Sequence, residues 1–577
     1  SNLFRYEKFL FSKYKFKVTQ KYPNLLKWSI NNPKKFWNSI WDFAKVKGVK
    51  SQKYEKSNVF FKNKFLKNSK LNFAENLLSK NDDSKAITFI SENGIKKVRT
   101  WRELNNNVYK LITFFKSIKI KEKDRIVAYL PNIIETVESF IATSAIGSIW
   151  SSCSPDFGTN GVIERFSQID PKVLIICDRY FYNGKEINVI ERLPLILNKI
   201  KSIKNVIIIN YPGKPLVKTN KLKNVKSITW DSIIKVNPVK IEFKKFDFEH
   251  ELAILYSSGT TGKPKCICHR SGGVLLQHLK EHQLHSEIKE NDNVFYFTTC
   301  GWMMWNWLIS VLASKASIVL FEGFPMYKRN DLLIKLADEE KITLFGVSAK
   351  YIDALNKSNV LNKKKYKLKK LRTICSTGSP LSEDSFKFVY KKIKSNVHLA
   401  SISGGTDIVS CFVLGNIYDP VIAGQIQNKG LGMDVDIFND NGKPIKNKKG
   451  ELVCKNAFPT IPLKFWNDKK NVKFKEAYFN KFNNIWHHGD YAELKNSGGF
   501  IIYGRSDTTL NPGGVRLGTS EIYSEVEKFK EIKESLVIGQ SWDNDIRVVL
   551  FVIMNQNYQL NDELIRRIKI QIRTNAS

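Results

Sequence analysis

The sequence is poor in cysteine: only 8 of its 577 residues are Cys, and none belongs to a Cys-x-x-Cys pair. Disulfide frameworks and finger-type zinc sites both depend on regularly spaced cysteines. The sequence therefore predicts reduced thiols, and we expect a cytoplasmic protein. Cys266 and Cys268 flank one residue of a predicted strand, so we interpret them as core residues.

Histidine is equally scarce, with 8 residues in the chain. His278, His282 and His285 have helical spacing, but no cysteine lies near them at the spacing of metal ligands. Neighbouring glutamates favour a solvated helix face. We therefore expect no metal site there.

Uninterrupted apolar runs are also missing. The segment 302–321 has about the length of a membrane span, but Asn306, Lys315 and several serines interrupt it. We predict a buried helix followed by a strand. Residues 1–17 mix charged and aromatic side chains without a secretory signal, and because no Met begins the chain we expect it to be partial.

Acidic residues are outnumbered: 55 Asp and Glu face 93 Lys and Arg, giving a formal net charge of +38. A pI near 9.7 is typical of nucleic-acid-binding proteins, and a non-enzymatic basic binder of nucleic acid stays open as an alternative. The lysines are spread along the chain with few interleaved aromatics, which favours a solvated surface. We expect no nucleic acid and no membrane as partners, and attraction of anionic small molecules.

Length and periodicity predict more than one domain. A helical period at 101–115 is followed by a predicted strand at 124–130 and a helix at 133–146. Short β-branched runs typical of buried parallel strands recur at 173–176, 206–209, 318–321, 344–347 and 371–374. Beyond about residue 420 the pieces become shorter and are separated by turns. The pattern predicts an α/β class: two mixed α/β subdomains and a smaller β-rich subdomain, followed by a partial, small α+β C-terminal domain.

A loop rich in hydroxyl groups and glycine follows the apolar run 252–255. It comprises Ser257, Ser258, Gly259, Thr260, Thr261, Gly262 and, three residues later, Lys265. Small residues let backbone N–H groups approach an anion, hydroxyls add donors and lysine adds charge, so the loop suits ATP phosphates. It is not a Walker A loop, because its glycines are closer together and Pro264 follows Lys263. A surface turn is the alternative.

The run resembles the phosphate loop of the acyl-adenylate-forming enzymes, and further segments match this superfamily in its own order. Segments 272–276 and 299–306 most resemble the members that make acetoacetyl-CoA, and the likeness extends from Trp28 to Ser577. It implies an ATP-dependent ligase that joins acetoacetate to CoA through an acyl adenylate, with Mg²⁺ as the metal, and releases AMP and pyrophosphate. Another short acid, such as butyrate or 3-hydroxybutyrate, stays open as the substrate.

The resemblance also assigns roles to single residues. It implies catalytic roles for Thr260, Lys265, Thr406, Asp407 and Arg516, with Asp407 as the Mg²⁺ ligand where many relatives have Glu. It implies nucleotide or CoA contacts for residues 257–262, Gly378, Ser379, Pro380, Asp490, Arg505 and Gly514. An ionised Asp490 suits this role because a carboxylate accepts from both ribose hydroxyls.

The acid pocket is predicted at Trp302 and Gly404. Short-chain relatives have Trp in the place of Gly404, so the missing side chain predicts space for a longer acid. We interpret Trp305 as a core residue. Asp507 matches a hinge, which divides the chain into a predicted N-terminal domain at 1–506 and a partial mobile domain at 507–577.

The C-terminus departs from the resemblance. Relatives continue past the position of Ser577 to a Gly-Lys motif, whose lysine bridges carboxylate and phosphate during adenylation. We therefore expect residues 508–577 to be poorly packed, and the printed chain to bind ATP but adenylate about 100-fold or more slowly than a version extended with that motif. Acetoacetate-dependent exchange of pyrophosphate into ATP measures this. Equal rates for the two versions contradict the prediction.

Overall fold

The protein is described here by a computed structural model of residues 1–575, apart from 215–224, 239–240, 258–262, 362–364, 507–508, 515–516, 527 and 544. Helices cover two large sheets and several smaller ones. The α-helices are Asn2–Tyr14, Tyr22–Asn31, Pro33–Phe43, Phe73–Leu77, Trp101–Ser117, Ile134–Ala145, Thr159–Phe166, Leu193–Lys199, Trp230–Ile234, Ser271–Lys280, Met303–Ser310, Leu332–Glu339, Ala349–Ser358, Glu383–Phe388, Val472–Phe479, Thr519–Val526 and Asp562–Asn575. Two of them continue into π-helical turns, Glu281–His285 and Val389–Ile393.

Within the described ranges, the larger sheet has eight strands. Their order is Lys226–Thr229, Asn205–Ile209, Val173–Cys177, Arg125–Tyr129, Ile149–Cys153, Glu251–Ser257, Lys265–Arg270 and Lys464–Phe465. The first six run parallel, and the last two pairings are antiparallel. Ser257 and Lys265 consequently face each other across one antiparallel pair.

The second large sheet has seven strands in the part of the chain that the structure describes. Their order is His398–Ser401, Thr373–Thr377, Leu344–Ser348, Asn293–Tyr296, Ser317–Glu322, Lys85–Ser91 and Lys96–Thr100. All pairings are parallel except that of Lys96–Thr100 at the edge. Helices on both faces bury these strands, which explains their continuous apolar runs.

Smaller antiparallel sheets complete the fold. One contains Val435–Phe438, Lys449–Cys454, Trp486–Leu494 and Phe500–Arg505, and another contains Ser403–Gly405, Ser410–Leu414 and Asn428–Lys429. A third contains Gly48–Val49, Lys70–Leu71 and Phe246–Asp247. The two-stranded pairs are Lys53–Glu55 with Lys64–Lys67, Arg179–Tyr182 with Lys185–Asn188, Thr509–Leu510 with Leu517–Gly518, and Ile532–Trp542 with Asp545–Met554. The predicted α/β class with a β-rich part beyond residue 420 is confirmed.

The C-terminal residues have a hydrophobic cluster of their own, which includes Leu510, Ile522, Val526, Ile532 and Leu564. On the hairpin Ile532–Trp542 with Asp545–Met554, however, large apolar side chains are more than half exposed; they are Leu536, Trp542, Phe551 and Ile553. The predicted hinge at Asp507 lies outside the described residues, so the division into two domains stays a prediction.

The segment 302–321 forms the buried helix Met303–Ser310 and then the strand Ser317–Glu322, as predicted. Among the described helices, none is long and apolar enough to cross a membrane.

The predicted solvated face at His278, His282 and His285 is wrong. All three rings are at most 2% exposed, because the helix Ser271–Lys280 and its π-helical turn are covered by neighbouring elements. His278 hydrogen-bonds the Ser310 hydroxyl at 2.9 Å and the Val409 carbonyl at 2.7 Å. Burial lowers the pKa of each ring, so the three histidines are neutral core residues.

A buried ion pair joins the edge strand of the seven-stranded sheet to a helix. Arg99 Nε lies 2.8 Å from Glu138 Oε1, and Glu138 is fully buried on the helix Ile134–Ala145. Burial raises the pKa of Glu138 to about 7, although the charge of Arg99 opposes this shift. The carboxyl group therefore binds its proton more tightly in the folded chain than at its ordinary value of 4.5.

We expect Arg99→Met to destabilise the fold more at pH 8 than at pH 6. The contribution of Glu138 to stability is complete below its unfolded pKa and is lost as pH rises through about 7. Without Arg99 the pKa of Glu138 rises further, so at pH 8 the variant either holds a buried carboxylate without its partner or takes up a proton, and the cost is up to about 3–5 kcal/mol. At pH 6 most molecules of both proteins carry the neutral acid, so the cost is smaller. Urea unfolding at both pH values measures the difference.

The control is Arg99→Met combined with Glu138→Gln, whose cost should be equal at the two pH values. A pH-independent cost of the single variant contradicts the prediction.

Candidate active site

A cavity of about 680 Å³ lies where the carboxyl ends of parallel strands from both large sheets meet. The strand-end residues on its wall are Cys153, Ser257, Ser348, Thr377 and Ser401. Open α/β sheets commonly bind ligands at this edge, and the volume is typical of a small-molecule site.

Many of the predicted site residues line this cavity. They are Ser257, Trp302, Gly378, Ser379, Pro380, Gly404, Thr406, Asp490 and Arg505. Gly514 ends the short turn Pro512–Gly514, and its neighbour Gly513 is on the wall. The predicted residues Ser258, Gly259, Thr260, Thr261, Gly262, Asp507 and Arg516 lie outside the described residues. The fold thus gathers segments that are far apart in sequence.

Ser257 is the last residue of its strand and the first of the predicted phosphate loop. Its side-chain hydroxyl is buried and has no hydrogen-bond partner among the described residues.

The predicted phosphate-binding lysine and the predicted metal ligand are paired with each other. Lys265 Nζ donates to Asp407 Oδ1 at 3.0 Å, and the Tyr478 hydroxyl donates to the same oxygen at 2.5 Å. Asp407 is only 2% exposed, so its side chain lies behind the cavity wall. The two contacts fix the orientation of its carboxylate.

Tyr478 is a site residue that sequence reasoning missed. It lies on the helix Val472–Phe479, and its ring stacks on Trp486 with centroids 3.9 Å apart. Phe474 and Phe479 on the same helix are ordinary packing residues. Nothing in the sequence separates Tyr478 from such aromatics.

Asp407 suits Mg²⁺ in its donor chemistry. Mg²⁺ prefers oxygen and commonly takes one or two protein carboxylates, with phosphate and water as its other ligands. Asp407 Oδ2 lies toward the wall residue Gly405, since a Cβ built there would be 3.9 Å from this oxygen. The residues present therefore fit the ion, while the metal role itself stays a prediction.

Asp490 and Arg505 form an ion pair at one end of the cavity. They are cross-strand partners in the four-stranded sheet, and Arg505 Nη1 donates to Asp490 Oδ1 at 2.7 Å. His488 Nε2 lies 3.7 Å from Asp490 Oδ2 and 3.3 Å from the Gly404 carbonyl oxygen. His488, also not predicted, thus connects the predicted ribose site with the predicted acid pocket.

Gly404 lines the cavity, and the structure shows a second reason why glycine occupies this position. Gly404 pairs with Cys411 on the strand Ser410–Leu414, and a Cβ at 404 would lie 2.0 Å from the Ser410 carbonyl oxygen. Glycine is therefore needed for the close approach of two backbones. Its role in making room for a longer acid stays a prediction.

The two predicted tryptophans differ in position. Trp302 is on the cavity wall. Trp305 is fully buried, stacks on Trp150 with centroids 6.1 Å apart and donates its N–H to Asn132 at 3.0 Å. The interpretation of Trp305 as a core residue is confirmed.

Two cysteines line the cavity, Cys153 and Cys411. Burial raises the pKa of the Cys153 thiol to about 12 and also raises that of Cys411. Both side chains are therefore protonated thiols at neutral pH.

Comparison with known proteins identifies relatives over nearly the whole chain. The profile of the family described as "AMP-binding enzyme" matches residues 75–460. The acetoacetyl-coenzyme A synthetase of Rhizobium meliloti (strain 1021) is 46% identical over 95% of this chain and 84% of its own length. The malonamoyl-CoA synthetase of Penicillium aethiopicum is 34% identical over 96% of this chain and 80% of its own length. The solved structure of acetoacetyl-CoA synthetase from Streptomyces lividans has a TM-score of 0.83 at 33% identity, covering 100% of this chain and 88% of that one.

We expect Asp490→Asn to weaken the binding of Mg-ATP about 10- to 100-fold. A neutral amide accepts less strongly from ribose hydroxyls, and it removes the ion pair between residues 490 and 505. Isothermal titration calorimetry measures the affinity. Glu493→Gln is the matched control, because Glu493 is on the same strand, pairs with Lys495 and lies outside the cavity wall. An unchanged affinity of Asp490→Asn contradicts the assignment.

Proposed function

This chain belongs to the AMP-binding enzyme family, and we propose that it is an ATP-dependent ligase that makes acetoacetyl-CoA from acetoacetate and CoA. The observation that carries the proposal is the similarity, over 95% of the chain, to an enzyme named for this product. A cavity that gathers the predicted nucleotide and acid-pocket residues supports it. Family membership favours an enzyme over a basic binder of nucleic acid.

In the first half-reaction, a carboxylate oxygen of acetoacetate attacks the α-phosphorus of ATP. The bond between this phosphorus and the bridging oxygen breaks, pyrophosphate leaves, and acetoacetyl adenylate remains. Negative charge gathers on phosphoryl oxygens in the transition state, so positioned donors lower the barrier. On the described wall, Thr406 contributes a hydroxyl of this kind. Mg²⁺ bound by Asp407 would supply the neutralising charge.

We assign the adenosine half of the nucleotide to the part of the wall that contains Asp490 and residues 378–380. Asp490, oriented by Arg505, accepts from the ribose hydroxyls, and Gly378, Ser379 and Pro380 border the adenine. These groups bind the substrate and orient its α-phosphorus, which is how position contributes to rate.

In the second half-reaction, the thiolate of CoA attacks the acyl carbonyl carbon and AMP leaves. The segment that follows the predicted hinge reaches the cavity, because Asn511 and Gly513 line it. The Asn511 side-chain amide donates to the Gly378 carbonyl at 2.7 Å. We assign CoA to this side of the cavity, beside Gly514.

The acid substrate has one further candidate. Malonamate has nearly the shape of acetoacetate, with an amide in place of the methyl ketone. The Penicillium aethiopicum relative is named for the corresponding thioester, malonamoyl-CoA. The wall offers apolar contact through Met303 and Met304, whereas the Thr377 hydroxyl already donates to the Ile402 carbonyl at 2.9 Å. We propose acetoacetate as the preferred acid and the cytoplasm, where ATP and CoA are available, as the location.

We expect acetoacetate to support exchange of pyrophosphate into ATP with the highest kcat/KM in a panel that contains butyrate, 3-hydroxybutyrate and malonamate. Butyrate should be at least about 10-fold poorer, because it lacks the 3-oxo oxygen and any hydrogen bond that this oxygen accepts from the pocket. Ratios between acids are read on one enzyme preparation, so the absolute rate does not matter. Acetate is the short-chain control.

Equal or faster exchange with butyrate contradicts acetoacetate as the substrate. A melting temperature that Mg-ATP does not raise, together with salt-sensitive retention on DNA, contradicts the enzyme itself and favours the basic binder.

A further inference from the structure

An arginine on the cavity wall has no role in the account above. Arg165 lies near the end of the helix Thr159–Phe166, is only 4% exposed and lines the cavity. Its guanidinium carbon lies 4.6 Å from the ring centre of Phe157 and 6.0 Å from that of Tyr256. Tyr256 directly precedes Ser257, so the guanidinium group lies close to the start of the predicted phosphate loop.

The charge of Arg165 has no ion-pair partner among the described residues. Its Nη1 donates to the Gly161 carbonyl at 2.9 Å, but it forms no salt bridge with any described carboxylate, including that of Asp156 on the same wall. Comparably buried arginines differ in this respect. Arg179, Arg270 and Arg505 each pair with Asp or Glu.

The remaining N–H groups of Arg165 face the cavity. Apart from the bond to Gly161, its nitrogen atoms have no hydrogen-bond partner among the described residues, and none of these unpartnered atoms is sealed from solvent. Because Arg165 lines the cavity, we take these donors to be open to it. A buried guanidinium without a counter-charge is costly, and its fork of donors matches the oxygens of a phosphate group. The site is therefore complete only with an anion.

We propose that Arg165, on the wall of the cavity, binds a phosphate group of a substrate. The inference rests on the proposed function, in which ATP and CoA are the two substrates that carry phosphate. A cation at this position stabilises the charge that the phosphates bring into a cavity with few other described cations on its wall. Arg165 is then a residue that contacts substrate directly.

The sequence contains a signal for this residue. Val162, Arg165 and Phe166 are the buried positions of one helix face, so an arginine occurs where an apolar side chain is expected. The competing explanation is a structural role, in which the guanidinium group only packs on Phe157 and donates a hydrogen bond to the Gly161 carbonyl.

The test compares Arg165→Gln with wild type by titration calorimetry, using inorganic pyrophosphate, Mg-ATP and CoA as separate probes. We expect at least one of them to bind about 10- to 100-fold more weakly to the variant. Loss of pyrophosphate and Mg-ATP binding identifies the triphosphate, and loss of CoA binding identifies a phosphate of CoA. Because the variant removes an unneutralised buried charge, its melting temperature without ligand should not fall.

Arg102→Gln is the control for a change of one charge, since Arg102 is exposed and pairs with Asp83 at the surface. All three probes should bind to it as to wild type. Arg165→Lys keeps the charge but loses the fork, and should weaken the affected probe about 3- to 10-fold. If Arg165→Gln does not fold, the affinities of Arg165→Lys for the three probes test the inference instead.

Affinities within twofold of wild type for all three probes overturn the inference, and a lowered melting temperature with unchanged affinities assigns Arg165 the structural role. Acetoacetate-dependent pyrophosphate exchange of the wild type is measured in parallel. Its absence contradicts the proposed function, whereas the Arg165 result is read from the binding of the three probes, which needs no turnover, so the two failures are distinct.

Discussion

The contact of Lys265 and Tyr478 with one oxygen of Asp407 connects three parts of the molecule. Lys265 begins a strand of the eight-stranded sheet, and Asp407 lies between two strands of a small antiparallel sheet. Tyr478 belongs to a helix that connects the second and third strands of the four-stranded sheet. A carboxylate that is 2% exposed needs such partners, because a buried charge without them is unstable. The wall formed by Thr406 and its neighbours depends on this junction.

The parts of the fold that could be predicted from the sequence are mainly the buried strands. Buried parallel strands have continuous apolar runs, so the predicted positions 318–321 and 344–347 correspond to Ser317–Glu322 and Leu344–Ser348. The strand predicted at 371–374 begins two residues later, at Thr373, because Leu371 and Arg372 follow a turn at residues 369–370 and do not yet belong to the ladder. Boundaries depend on local hydrogen bonds that hydrophobicity does not report.

Tertiary partners were not readable. The spacing of His278, His282 and His285 correctly indicates a helix, but periodicity describes one element and cannot show that a second layer covers its polar face. Tyr478 looks like any core aromatic until Asp407 is placed beside it. Gly404 looks like a missing side chain, whereas its neighbour across the sheet leaves no space for a Cβ. In each case the deciding contact comes from a residue distant in sequence.

Cys153 and Cys411 line the cavity in which we propose that the acyl adenylate, a mixed anhydride, forms. Such an anhydride acylates any sulfur that is ionised, and the enzyme's own side chains are the nearest candidates. Because burial holds both thiols in the protonated state, they are poor nucleophiles. The low-dielectric wall therefore protects the protein from modifying itself and leaves the incoming sulfur of CoA as the favoured acceptor.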